Sequence, residues 1–122
     1  WHLTTREFVT DIRRTLRPDG VYALNMIDYP PARFVRAEVA TVAAVFRHVA
    51  LVAPPTAIEG RRGANFVLLA SDAPLPLDAL RERLATEPAP VAVLTGPELA
   101  TFTEGARVLT DDHAPVDQLL AR

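Results

Sequence analysis

The sequence predicts an α/β fold, and three observations carry the prediction. Leu16-Arg17-Pro18-Asp19-Gly20-Val21-Tyr22-Ala23-Leu24-Asn25 reads as a helix end, a tight turn and an apolar strand. Phe34, Val35, Val39, Val42, Val45, Phe46 and Val49 recur at helical spacing. Two short apolar runs, 49–53 and 65–71, are bounded by Pro54-Pro55 and by the polar loop Glu59-Gly60-Arg61-Arg62-Gly63.

The first helix is expected over residues 5–16. Thr4-Thr5-Arg6-Glu7 fits a capping box in which Thr4 and Glu7 each accept the other's backbone N–H. Leu3 and Phe8 occupy the positions of a hydrophobic staple, while Phe8, Val9, Ile12 and Leu16 form the apolar face. Pro18 cannot continue this helix, and Gly20 suits a sharp reversal. The strand at 21–27 contains one clearly polar residue, Asn25. Such a run fits a strand covered on both faces, as in a parallel sheet.

Asp28-Tyr29-Pro30-Pro31 opens a loop. The helix expected over 32–48 keeps Arg33, Arg36 and Arg47 off its apolar stripe. Strands at 49–53 and 65–71 are then candidates for antiparallel neighbours. Beyond Pro74 and Pro76 the pattern predicts a short helix through Leu77, Leu80 and Leu84 and a short strand at 91–94. Thr95-Gly96-Pro97-Glu98 starts another helix as a second capping box, with a final turn at 115–120.

Composition narrows the function classes. The chain has 122 residues, 49% of them hydrophobic, enough for one small domain with a modest core. All thirteen Lys/Arg residues are Arg, yet the formal charge is -2, so no polyanionic partner such as nucleic acid is implied. The absence of Cys excludes disulfides, thiolate metal sites and a Cys nucleophile. His2, His48 and His113 lack ligand spacing, so no metal site is expected. Trp1-His2-Leu3 carries no basic leader and no initiating Met, and reads as the interior of a longer protein.

Three stretches resemble the spermidine synthase family, the polyamine aminopropyltransferases. They are Leu3-Thr4-Thr5-Arg6-Glu7-Phe8, Leu16-Arg17-Pro18-Asp19-Gly20-Val21 and Asn65-Phe66-Val67-Leu68-Leu69-Ala70-Ser71. The tail Leu109-Thr110-Asp111-Asp112, with Pro115 and Val116, is similar to the endings of bacterial spermidine-synthase-like proteins, some of them fused to membrane segments. The resemblance implies the C-terminal part of a Rossmann-like sheet of the class I methyltransferase type, ending in an antiparallel strand pair. In that fold the last strand inserts antiparallel between two others. It also implies that residues 1–73 are the C-terminal half of the catalytic domain and 74–122 a helical extension packed on it.

The implied chemistry is aminopropyl transfer from decarboxylated S-adenosylmethionine to putrescine or a related amine, in the cytoplasm. The nucleotide loop and the catalytic Asp segment of that family are expected upstream of Trp1, since no G-x-G-x-x-G occurs here. These residues are therefore expected to be inactive alone, to bind no nucleotide, and to partner the missing N-terminal half, a small amine and a second copy. Asn25, Asp28, Tyr29, Asp111 and Asp112 are the candidate substrate-binding residues. In the family a polar amide near Asn25 faces the substrate. Asp28 would attract an ammonium that Tyr29 covers, and Asp111 and Asp112 would line a cation pocket.

Each residue also has a plainer reading. Asn25 could be a buried amide bonded to backbone. Asp28 and Tyr29 could be ordinary loop residues, and Asp111 or Asp112 a cap for the final turn. Where the family often carries Tyr or Trp before its last strand, this chain has Thr56, Ala57 and Ile58. Two alternatives follow: part of an S-adenosylmethionine-dependent methyltransferase, or a non-catalytic binding or assembly domain with a degenerate pocket.

Overall fold

The computed structural model describes residues 2–121; Trp1, before which the reactive segment was expected, lies outside the described residues. A 3-10 turn, His2–Thr4, leads into α1, Arg6–Thr15. Then come β1, Tyr22–Asp28; α2, Arg33–Ala43; β2, His48–Ala53; the short α3, Pro55–Ile58; and β3, Ala64–Ser71. The rest supplies α4, Leu77–Leu84; β4, Ala92–Leu94; α5, Gly96–Phe102; and α6, Val116–Leu120.

The four strands form one sheet in the order β1-β3-β2-β4, with every neighbouring pair antiparallel. The last long strand, β3, is thus inserted antiparallel between β1 and β2, as the family resemblance implied. Residues after 73 enter the same sheet through β4 and place Leu94, Leu99, Phe102 and Leu109 in the common core. Among the described residues, β1 is an edge strand, paired with β3 alone.

The core lies between one sheet face and α2. Helix α2 buries Phe34, Val35, Ala37, Val39 and Val42 against Met26, Phe66, Leu68 and Leu51 of the strands. Its buried face is broad because it also meets α1 and α6.

Two local expectations are corrected. The N-cap of α1 is Thr5, whose hydroxyl accepts the Phe8 N–H at 3.2 Å, so the helix starts one residue later than the Thr4 box requires. Glu7 is left free to reach the tail, and Leu3 is exposed rather than serving as a staple. Thr95 does cap α5 by position, but its side chain makes no capping bond.

Among the described residues, strand β1 is covered on one face only, where the expectation was cover on both. Met26 and Asp28 are buried, whereas Ala23, Asn25 and Ile27 are exposed, because α2 packs on only one side of this edge strand. Among the described residues, no helix is long and apolar enough to cross a membrane.

Candidate functional site

Strands β1 and β2 both run antiparallel to β3, hence parallel to each other. Their C-terminal ends therefore open on the same edge of the sheet, where α/β folds place ligands. Asp28 is the last residue of β1 and only 2% exposed. One carboxylate oxygen accepts the Tyr29 N–H at 2.7 Å, and the other accepts the Val35 N–H at 3.1 Å. Val35 belongs to the first turn of α2, whose N–H groups lack intrahelical partners and favour negative charge. The N-cap position itself is Ala32, held at φ 59° with no side-chain acceptor. Asp28 supplies from the preceding strand the acceptor that Ala32 cannot.

Tyr29 follows, 40% exposed, and its carbonyl accepts the Ala32 N–H at 2.6 Å. Its ring lies against Gly63, just ahead of β3. A Cβ on Gly63 would stand 2.8 Å from the Tyr29 Cε1 atom and 3.1 Å from the Asp28 carbonyl oxygen. The missing side chain at Gly63 is what lets the ring lie there.

Beside Gly63 a cavity of about 460 Å³ is bounded by Pro54, Pro55, Thr56, Arg62 and Pro90. Thr56 thus lines the strand-end crevice at the loop where an aromatic residue was sought, while Ala57 is buried beneath it.

The remaining candidates are placed differently. Asn25 is exposed on the face of β1 opposite Asp28, because three residues along a strand reverse the side-chain direction. It is neither a buried amide nor a neighbour of the Asp28 carboxylate. Asp111 and Asp112 are exposed in a turn closed by reciprocal backbone bonds between Thr110 and His113, each 3.0 Å. The Asp111 N–H donates to both carboxylate oxygens of Glu7 at 3.2 Å, which ties this turn to α1. Neither acid caps α6, whose N-cap is Pro115. The structure therefore joins Asp28 with Tyr29 and holds the Asp111–Asp112 pair in a turn anchored on α1.

One buried acid was not anticipated. Glu38, in the middle of α2, is fully buried, and neither of its carboxylate oxygens has a hydrogen-bond partner. Burial pushes its pKa up from 4.5 to about 8. The Tyr22 phenol is raised as well, first by burial and then by the charge on Glu38. Glu38 stands four residues from both Phe34 and Val42, so its place on the apolar stripe could have been read from the spacing.

No family model matches the chain, and no curated protein matches it. Among solved structures it is similar to a probable spermidine synthase from Corynebacterium glutamicum, at 29% identity and a TM-score of 0.81, over 93% of this chain and 43% of that one. The chain thus spans less than half the length of that structure. Its mixed α/β architecture, with an antiparallel sheet ending, matches a part of that methyltransferase-like fold.

Proposed function

We propose that the chain is the C-terminal portion of a spermidine-synthase-like aminopropyltransferase, acting with decarboxylated S-adenosylmethionine on putrescine or a related amine. The observation that carries this reading is β3 inserted between β1 and β2, within a fold that overlays a probable spermidine synthase along nearly the whole chain. In this reading Asp28 and Tyr29 are the chain's share of the amine subsite. Asp28 acts as a fixed negative charge behind the ring, since both its oxygens already accept backbone N–H groups. Asn25, Asp111 and Asp112 are assigned to the amine on the resemblance alone.

The nucleotide is not held by these residues, which contain no Gly-rich loop of the G-x-G-x-x-G type. Calorimetric titration of the full-length protein tests the reading. Decarboxylated S-adenosylmethionine should bind more tightly than S-adenosylmethionine. The reverse order favours a methyltransferase, and binding of neither favours an assembly domain.

A further inference from the structure

We propose that the groove between α2 and the end of the chain binds a small amphipathic anion, of the kind represented by a medium-chain carboxylate. The groove is a cavity of about 360 Å³, lying between α2, the loop after α5 and α6. That size is at the lower end of small-molecule sites, roughly 300–1,000 Å³. Its interior is apolar, formed by Ala37, Leu109, Pro115 and Leu119. Ala37 and Leu109 are buried core residues, so the floor is continuous with the core.

The rim is cationic. Arg33, Arg36 and Arg107 line it against one carboxylate, Glu104, with His113 as a further titratable neighbour. Two of the guanidiniums are held by neutral carbonyls. Arg33 donates to the Ala121 carbonyl at 3.2 Å. Arg36 donates to the Pro31 carbonyl at 2.9 Å and to the Phe102 carbonyl, and it lies 4.2 Å from the centroid of the Phe102 ring. Among the described residues, none of these three arginines forms an ion pair. Arg33 and Arg36 are therefore positioned by neutral acceptors, and the three arginines outnumber the one carboxylate, Glu104, among the described residues lining the groove. A pre-set cation beside a hydrophobic cleft favours a ligand with an anionic head and a short apolar body. The preference is opposite to that of the strand-end site, where an amine is proposed, so the two sites stand or fall separately.

Titration calorimetry of the full-length protein with octanoate, octylamine and octanol tests the assignment. Octanoate should bind, with octylamine and octanol weaker by on the order of tenfold or more. Arg107→Glu, at an exposed position with no ion-pair partner among the described residues, should weaken octanoate by on the order of tenfold without changing the melting temperature, and Arg107→Lys should retain most of the binding. No octanoate binding at millimolar concentration, equal binding of octylamine, or unchanged octanoate affinity in Arg107→Glu would overturn the proposal.

Discussion

The Asp28 carboxylate accepts the backbone N–H of Val35 at 3.1 Å, so the last residue of β1 caps the first turn of α2. This contact fixes where the strand ends and how the helix begins. It also holds Tyr29 and the loop beside the sheet edge, because the second oxygen takes the Tyr29 N–H.

Asp28→Ala should therefore destabilise the protein by roughly 1.5–3 kcal/mol, the cost of charged hydrogen bonds lost at a buried site. Asp28→Asn should cost less, since the amide keeps one acceptor. Urea denaturation of the three proteins measures the order. Equal midpoints would contradict the capping role.

Gly63→Ala should displace the Tyr29 ring, because the new methyl group overlaps it and approaches the Asp28 carbonyl. A loss of roughly 1–3 kcal/mol is expected from such overpacking. Tyr29→Ala in the same chain should restore most of it. A double variant as unstable as Gly63→Ala alone would show that the backbone carbonyl, not the ring, sets the limit.

The three long strands and the antiparallel pairing of β2 with β3 were legible in the sequence, while the place of β4 beside β2 and the directions of single side chains were not. The apolar runs and the Pro and Gly breaks located β1, α2, β2 and β3 within a few residues, except that α2 ends at Ala43, short of the expected boundary. The family resemblance supplied the insertion of β3. The double coverage of β1 could not be judged, because an apolar run looks the same at an edge as at the centre of a sheet. Thr4 and Thr5 offer equivalent hydroxyls, and the choice of Thr5 goes with tertiary contacts to the tail, the Arg6 N–H on the Leu109 carbonyl and Glu7 on the Asp111 N–H. The pairing of Asp28 with Val35 spans a loop whose path the sequence does not encode locally.

Glu38 makes stability depend on pH. Its folded pKa of about 8 lies above the ordinary 4.5, so between these values the unfolded chain is ionised while the folded chain keeps the proton. Stability contributed by the neutral acid is fully present below pH 4.5 and is lost as pH rises through about 8. The slope from this group is roughly 1.4 kcal/mol per pH unit in that window. Glu38→Gln should flatten the profile and be the more stable protein at pH 8.5. Parallel profiles for the two proteins would contradict a buried neutral Glu38.

Thr41 ties the tail to α2. Its hydroxyl donates to the Ala37 carbonyl at 2.7 Å and accepts the Leu109 N–H at 2.8 Å, in a buried setting. Thr41→Val keeps the volume and leaves that N–H without its acceptor, so a loss of roughly 1–3 kcal/mol is expected. Hydrogen exchange at Leu109 should accelerate with it. Unchanged protection there would mean that the tail is held by other contacts.

The proposed reaction is tested most directly by its product. The full-length protein is incubated with decarboxylated S-adenosylmethionine and putrescine, and the amines are analysed by mass spectrometry. The account predicts putrescine enlarged by one aminopropyl group, with methylthioadenosine formed in equal amount. Unaltered putrescine from folded, nucleotide-binding protein, or a methylated amine when S-adenosylmethionine is supplied instead, would contradict it.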